Sequence, residues 1–287
     1  MSNISIRIVR SDGKEFFADG RQSDPADWGI TAISGISSAS IENFTENKAV
    51  GDGDIVNGNR LQSREIEFTA IAKNRSMNTI LRRYATSFFN PKYDYRIYVT
   101  YNGTTMWIDG IIQAVDIPSD HVRVQQSVTV NILCPDPPFH SMDEFGADIA
   151  SISPLWTFEE IDDPDFGEPF DSYEFLQGVD ITNNGDLETF CTVIIKANGS
   201  VTNPKFTSGS AYIRVLDTME KGDVIEIDIA KRRITKNGEN ILAKIDRTSD
   251  FVNMAFAVGV NTVSFDADVG ATLMSVRVYY NKLYLGV

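Results

Sequence analysis

Residues 95–112 read YRIYVTYNGTTMWIDGII and contain the strongest local structural signal in the chain. Two runs rich in β-branched and aromatic residues flank the dipeptide Asn102-Gly103. Asn and Gly tolerate the positive φ angles that the tightest hairpin turns require, so this stretch predicts a β-hairpin. We therefore expect the first half of the chain to be built mainly from antiparallel strands.

Other segments of the first half have the same composition and are separated by Gly, Asn, Asp or Pro. Such residues favour pleated structure bounded by turns. They predict strands at 5–9, 30–33, 38–44, 64–72, 95–101, 104–117 and 122–134.

One segment, NRSMNTILRRYATSFFNP at 74–91, has a helical period instead. Its apolar residues recur at spacings of three and four, as on one face of a helix: Met77, Ile80, Leu81, Tyr84 and Phe88. Asn74 or Ser76 can cap the start of this helix, and Pro91 ends it. We expect one helix packed on the sheet of the first domain.

The stretch GDGDIVNGNRLQSREIEFTAIAKN, residues 51–74, begins like a calcium loop and ends like a strand. An EF-hand loop needs glycine at its sixth position and glutamate at its twelfth. Counted from Asp52, these positions hold Asn57 and Ser63. The stretch therefore predicts a solvated turn leading into a strand, with no metal site, although an ion held by Asp52 and Asp54 with ligands from elsewhere stays open.

The charge of the chain is unevenly distributed. Of 287 residues with a net charge of −14, residues 1–139 carry 14 Lys/Arg and 16 Asp/Glu, whereas residues 140–287 carry 12 and 24. Residues 143–174 alone hold 11 acidic residues and no basic one. Because phosphate contact needs clustered Lys and Arg, nucleic acid and anionic membranes are not expected partners.

Length and charge predict two domains, at 1–140 and 175–287, joined by an acidic connection at 141–174. The connection keeps aromatic residues that a free linker would not need, among them Trp156, Phe158 and Phe166. We expect these to dock on the protein's own domains or on a neighbouring subunit.

No leader and no apolar run approaching 18 residues is found, so the protein is expected to be made in a cytosol and to stay soluble.

The second half, from about residue 175, predicts closely spaced strands with no helical pattern between them, as in an antiparallel β-sandwich. The segment IEIDIAKRRITKNGENI predicts a hairpin that turns at 231–233, followed by a second turn at Asn237-Gly238. Sandwiches can present aromatic residues to sugars, and the candidates here are Tyr212, Tyr279, Tyr280 and Tyr284. Tyrosines on strands are more often half-buried packing residues.

Motifs for chemistry are scarce. His121 and His140 lie in no nucleophile motif. Cys134 and His140 could supply two of the four ligands of a structural zinc site, but the sequence has no second Cys/His pair to supply the others. No glycine-rich phosphate loop is present, and Cys191 and Cys134 are most simply buried thiols in different domains. We expect no enzyme activity, no catalytic residue, no cofactor and no metal. The alternative of a carboxylate pair that hydrolyses glycosidic bonds stays open at this stage.

Several blocks in order resemble the distal tail protein (Dit) family of long non-contractile-tailed bacteriophages. In the first half they are the stretch 51–74, RRYATSFFNP, the hairpin 95–112 and VNILCPDPPF. In the second half they are NNGDLETFCTVIIKANGSVTNPKF, GDVIEIDIAKRRITKNGEN and VRVYYNKLYLGV. These blocks cover most of the chain outside the acidic connection.

The resemblance implies a mostly β protein whose first domain is a β-sandwich with one helix and a β-hairpin, and whose second domain resembles galectins or carbohydrate-binding modules. It implies a homo-hexameric ring at the virion tail tip, made in the bacterial host cytoplasm. One ring face would meet the tail tube protein and the other a tail-tip protein, either a tail-associated lysin or a fibre. The outer domain can hold a receptor-binding protein.

On this hypothesis, the subunit interface involves the Trp28 loop, the loop at 45–63 with Asp52 and Asp54, and the hairpin with Tyr101 and Trp107. A different class of function stays open, namely a monomeric carbohydrate-binding or adhesion protein. Ring assembly without glycan binding would discriminate between the two.

Overall fold

The computed structural model describes residues 4–20, 26–119, 125–142, 145–150 and 178–287. The chain forms two compact units, Met1–Met142 with Leu283–Val287, and Asp143–Lys282. The expected division was 1–140, 141–174 and 175–287, whereas here 143–282 is grouped as one unit and the last five residues join the other. The last five residues belong to the first unit, because they pair there rather than in the second sandwich.

In its described residues, the first unit contains one helix, α1 (Asn78–Phe88), preceded by a 3-10 turn at Arg75–Met77. Its first ten strands are β1 (Ile4–Arg10), β2 (Glu15–Asp19), β3 (Trp28–Ser34), β4 (Ile41–Asn47), β5 (Asp54–Leu61), β6 (Arg64–Ala72), β7 (Tyr95–Tyr101), β8 (Thr104–Asp116), β9 (Ser127–Cys134) and β10 (Phe139–Ser141). The second unit contains β11 (Phe145–Ala150), β12 (Val179–Asn183), β13 (Cys191–Ala197), β14 (Val201–Ser208), β15 (Ala211–Arg214), β16 (Thr218–Met219), β17 (Val224–Asp228), β18 (Arg233–Lys236), β19 (Glu239–Asn240), β20 (Gly259–Val269) and β21 (Met274–Tyr280). Three further 3-10 turns lie there, at Leu242–Lys244, Val252–Met254 and Ala271–Leu273. The last strand, β22 (Leu283–Tyr284), returns to the first unit.

The sheet of the first unit closes on itself. Its order is β22-β10-β8-β7-β1-β2-β3-β6-β9, and β8 pairs with both β7 and β9. The predicted hairpin is confirmed, since Tyr101 faces Thr104 across a turn in which Asn102 and Gly103 have φ of 49° and 94°. These angles are those of a type I′ turn, which matches the twist of the flanking strands.

Helix α1 is confirmed, but its buried face is narrower than predicted. Asn74 caps the preceding turn by accepting a hydrogen bond from the Ser76 amide. Leu81 and Phe88 are buried, whereas Ile80 is 65% exposed. At 100° per residue, Ile80 lies well to one side of the stripe through Leu81 and Phe88, so including it in that face was wrong.

Aromatic rings fill the core of the first unit. Phe16 packs against Trp28, Phe88 and Phe89, with ring centroids 5.6, 5.8 and 4.9 Å away. Arg10 fastens β1 to the end of α1, because its guanidinium donates to the main-chain carbonyls of residues 87 and 88. These contacts fix the helix against the sheet.

The second unit is an antiparallel sandwich, as predicted. One sheet has the order β11-β21-β13-β17-β18-β19 and the other β12-β20-β14-β15, with β16 paired to β14. The predicted turn in the hairpin β17–β18 is present, with Arg232 at a φ of 50°, and the second turn has Asn237 and Gly238 at 52° and 86°. Residues 145–150 of the acidic connection form strand β11 rather than irregular chain, because they complete the edge beside β21. Trp156, Phe158 and Phe166 lie outside the described residues.

Among the residues that the structure describes, no helix has the length and apolar character needed to cross a lipid bilayer.

Candidate interaction surface: the β4–β5 arm

Strands β4 and β5 form a two-stranded sheet of their own, which we call the arm. Seven residue pairs join them, from Ile41 with Leu61 to Asn47 with Asp54. The prediction of a solvated turn across 51–63 was therefore wrong beyond Gly53, where the chain enters β5. The alternation that marks a half-buried strand is missing because both faces of the arm lie in solvent.

The arm exposes an unusual share of apolar side chains. They are Ile41, Phe44, Val50, Ile55 and Val56, and Val50 is 90% exposed. No residue of either strand is buried. A lone two-stranded hairpin is marginally stable in water, and clustered exposed apolar residues mark contact surfaces, so the arm is the leading candidate for an interaction site.

The base of the arm is held by Arg64, which is 2% exposed. Its guanidinium donates to the carbonyls of Gly35 and Pro137, at 2.6 and 2.8 Å, and to that of Leu285. It also lies 4.7 Å above the Phe139 ring. Burial lowers the pKa of Arg64, but an arginine stays charged at neutral pH. An open cavity of about 780 Å³ lies beside it, lined by residues 35, 38–40, 60–65 and 135.

Asp52 and Asp54 lie at the tip of the arm and are exposed. The Lys48 ammonium donates to the main-chain carbonyl of Asp52 at 3.2 Å, which closes the tip. No set of three or more His, Cys, Asp or Glu side chains within the described ranges is close enough to hold a metal ion. The two carboxylates are therefore available as surface charges.

Trp107 belongs to an aromatic and cationic stack on β8. Its indole lies parallel to the His140 imidazole, with 4.1 Å between centroids and 12° between planes. The Arg96 guanidinium lies 3.9 Å from the indole centroid, and the indole N–H donates to the carbonyl of Ser141 at 2.9 Å. Burial lowers the pKa of His140, with nearby Asp136 opposing the shift. No local pattern predicts this stack, because His140 lies 33 positions beyond Trp107.

The other predicted interface residues lie in two different settings. Tyr101 is exposed at the turn of the β7–β8 hairpin, where a neighbour can reach it. Trp28 is only 2% exposed and packs on Phe16, so its side chain supports the core. Trp28, Trp107, Tyr101 and the arm carboxylates thus do not form one cluster of surface side chains.

The tyrosines considered for sugar binding are largely engaged. Tyr280 is 7% exposed and donates its hydroxyl to the carbonyl of Thr182. The ring of Tyr212 is covered by the Lys205 ammonium at 4.4 Å, beside a pocket of about 160 Å³. Tyr284 belongs to the first unit, where β22 pairs with β10. A sugar could stack on this face of Tyr212 only if Lys205 moved.

Both cysteines are buried free thiols, one in each unit. Burial raises the pKa of Cys134 to about 12 and also raises the pKa of Cys191. Neither thiol is therefore primed as a nucleophile at neutral pH.

Comparison with known proteins agrees with the resemblance inferred from sequence. Residues 184–284 match the family model described as the siphovirus-type tail component, C-terminal domain. The Dit protein of phage SPP1, whose structure is described as a paradigm of the hub adsorption apparatus in phages infecting Gram-positive bacteria, is 18% identical. The match covers 98% of this chain and 99% of that one, with a TM-score of 0.69.

Two structures of the phage P2 baseplate in its activated conformation match more distantly. The structure with calcium is 10% identical over 98% of each chain, with a TM-score of 0.52. The structure with strontium is 10% identical over 97% of this chain and 98% of that one, with a TM-score of 0.51. No curated protein matches the chain significantly. Residues 184–284 therefore resemble the C-terminal domain of siphovirus-type tail components, and the chain as a whole has a fold similar to that of the phage SPP1 Dit protein.

Proposed function

We propose that this protein is a structural component of a siphovirus-type phage tail tip, where six copies form a closed ring through their first units. The ring would join the tail tube to the tail-tip apparatus. The observation that carries the proposal is the arm, whose apolar side chains and strand edges are exposed in the single chain. The match to a hub protein over nearly the whole chain supports the same conclusion.

The arm explains why copies would associate in this way. Its unpaired edges and apolar side chains gain stability by contact with another subunit. A contact between an arm and a different surface of the next copy is heterologous, and such contacts repeat around a ring when the rotation closes. The hairpin turn at Tyr101 and the Trp107 side chain add contacts in this proposal, whereas the buried side chain of Trp28 does not.

The partners follow from the same proposal. One face of the ring would bind the tail tube protein, and the other would bind a tail-tip protein, either a tail-associated lysin or a fibre. The second unit would project a sandwich that can hold a receptor-binding protein. We assign the protein no catalytic role, and place it in the virion tail after synthesis in the host cytoplasm.

The rival function is carbohydrate binding by a monomer, and two observations argue against it. Tyr280 is buried, and Lys205 covers one face of Tyr212. Glycan-array binding that is lost in Tyr212→Ala would favour this rival.

Native mass spectrometry and electron-microscopy class averages of the purified chain at micromolar concentration test the ring. We expect a six-subunit ring for the natural sequence, and dissociation when Ile55→Asp and Val56→Asp are combined. Val258→Asp, at an exposed position of the second unit, serves as the matched control and should leave the ring intact. A natural chain that stays monomeric and also fails to bind a tail-tip protein would refute the proposal.

A further inference from the structure

We propose that the arm of one copy docks on the exposed face of helix α1 in the next copy, an inference that rests on the proposed ring. This face, which we call the basic face, consists of Arg75, Thr79, Ile80 and Arg83. Residues 75, 79 and 83 are spaced by four, so they lie on one side of the helix and its preceding turn. All four members are exposed.

Charge is the first argument. Residues 73–92 contain five basic residues and no acidic one. Arg82 is engaged, because its guanidinium donates to the carbonyls of residues 117 and 118. Arg75 and Arg83 make no ion pair with any residue that the structure describes. The basic face is therefore an uncompensated positive surface.

The arm has the complementary charge. Residues 41–61 contain four acidic and two basic residues. Arg60 pairs with Glu42 at 2.6 Å near the base, which leaves Glu46, Asp52 and Asp54 with Lys48 toward the tip. An excess of negative charge at the tip of the arm would be attracted to the basic face, since opposite potentials across an interface favour one register and one partner.

Apolar contact supplies the second argument. Ile80 is 65% exposed at one side of the basic face, next to Arg83, although its neighbour Leu81 is buried. On the arm, the exposed Ile55 and Val56 directly follow Asp54. Val56 follows Asp54 by two positions, so the two side chains lie on the same face of β5, and Ile80 lies beside Arg83 on the helix. Each surface thus combines an exposed apolar side chain with neighbouring charge, as protein–protein contacts do.

Another surface of the first unit could compete for the arm. A groove of about 670 Å³ is lined in part by Tyr98 and Ile111, but it also carries three carboxylates: Asp94, Asp109 and Asp136. Of its two arginines, Arg96 is paired with Asp109 and Arg10 with Asp12. An acidic arm tip would be repelled there, so electrostatics favours the basic face.

The arm is long enough for such a contact. An eight-residue strand such as β5 spans roughly 26 Å, at about 3.3 Å per residue. The receiving surface is firmly held, because Arg10 binds the end of α1 to β1. An exposed two-stranded ribbon would therefore pack on a helix that is tied to its own sheet.

Cysteine cross-linking tests the contact directly. In a chain carrying Val56→Cys and Ile80→Cys, mild oxidation should yield disulfide-linked species up to six subunits on a non-reducing gel. The control pairs Val56→Cys with Val252→Cys, which is equally exposed but lies in the second unit. The natural cysteines are buried and should not contribute. Equal cross-linking in the two variants would overturn the docking inference.

Charge exchange provides a second test that separates this inference from the ring itself. Arg75→Glu with Arg83→Glu should weaken association by about tenfold or more, and adding Asp52→Lys with Asp54→Lys should restore it. Arg247→Glu, an exposed reversal in the second unit, should have no effect. If the natural chain forms the ring and the reversals leave it intact, only the docking inference fails. If the natural chain is monomeric, the ring and the docking fail together.

Discussion

The guanidinium of Arg64 donates a hydrogen bond to the main-chain carbonyl of Leu285, 221 positions further along the chain. The same side chain binds the carbonyls of Gly35 and Pro137. A second bond, from the amide of Val287 to the carbonyl of Ile36 at 2.9 Å, holds the returning chain at the base of the arm. These hydrogen bonds hold residues 285–287, which follow the second unit, against residues 35–64, which precede it.

Replacing Arg64 by lysine should strongly destabilise the first unit. The lysine ammonium lacks the several N–H groups that a planar guanidinium directs to different acceptors, so it cannot bind all three carbonyls at once. At least one buried carbonyl would then lose its hydrogen-bond donor. We expect a loss of about 2–4 kcal/mol in the free energy of unfolding, measured by urea denaturation. Arg60→Lys, which alters an exposed ion pair with Glu42, should cost less than about 1 kcal/mol. Equal losses in the two variants would contradict this role of Arg64.

Gly286→Ala should destabilise the same region. A Cβ atom at this position would lie 1.7 Å from the carbonyl oxygen of Ser37, so one of the two backbones would have to move. We expect a loss of at least about 1 kcal/mol in the free energy of unfolding, seen as a lower Tm in calorimetry. Gly29→Ala is the matched control, because its nearest contact would be 3.6 Å, from a flexible lysine side chain. A Tm unchanged by Gly286→Ala would show that the returning chain is not packed as described.

The pH dependence of stability should reveal His140. Burial lowers the pKa of His140 below the value of 6.5 that the imidazole has in the unfolded chain. Between the two pKa values, the unfolded chain binds a proton at His140 and the folded protein does not. The contribution of His140 to stability is present above pH 6.5 and is lost as the pH falls through the lowered folded pKa. We expect stability to decrease from pH 7.5 to 5.5, and His140→Gln to reduce that decrease. An NMR titration midpoint for His140 at or above 6.5 would contradict this prediction.

Cys134 should resist thiol reagents in the folded protein. Its pKa of about 12 leaves almost no thiolate at pH 8, and its side chain is fully buried. We expect no fast reaction with a disulfide reagent until denaturant is added, when both cysteines should react. Val252→Cys supplies an exposed thiol for comparison. Fast labelling of the natural chain under native conditions would show that the core opens readily.

Local sequence signals predicted the elements whose geometry is set by neighbouring residues. Asn102 and Gly103 determine the β7–β8 turn, and Asn237 and Gly238 determine the turn before β19, through φ angles that few other residues adopt. The helix at 78–88 was predicted from its apolar period, and only the placement of Ile80 on its buried face was wrong.

Elements without a local signal were missed or misplaced. Strand β2 (Glu15–Asp19) is short, and β5 has no half-buried alternation because both its faces lie in solvent. The stack of Trp107 with His140 brings together residues on different strands. Periodicity reports burial of one face, so it cannot detect a strand that is exposed on both sides or a contact made across the fold.

The sequence by itself determined a mostly β chain with one helix and two tight turns, because turn chemistry and apolar period act over a few residues. Only the tertiary structure decided that the arm is a separate exposed ribbon and that the chain end returns to Arg64. The physical reason is that these features depend on hydrogen bonds between segments up to 221 positions apart, whose partners no local pattern encodes.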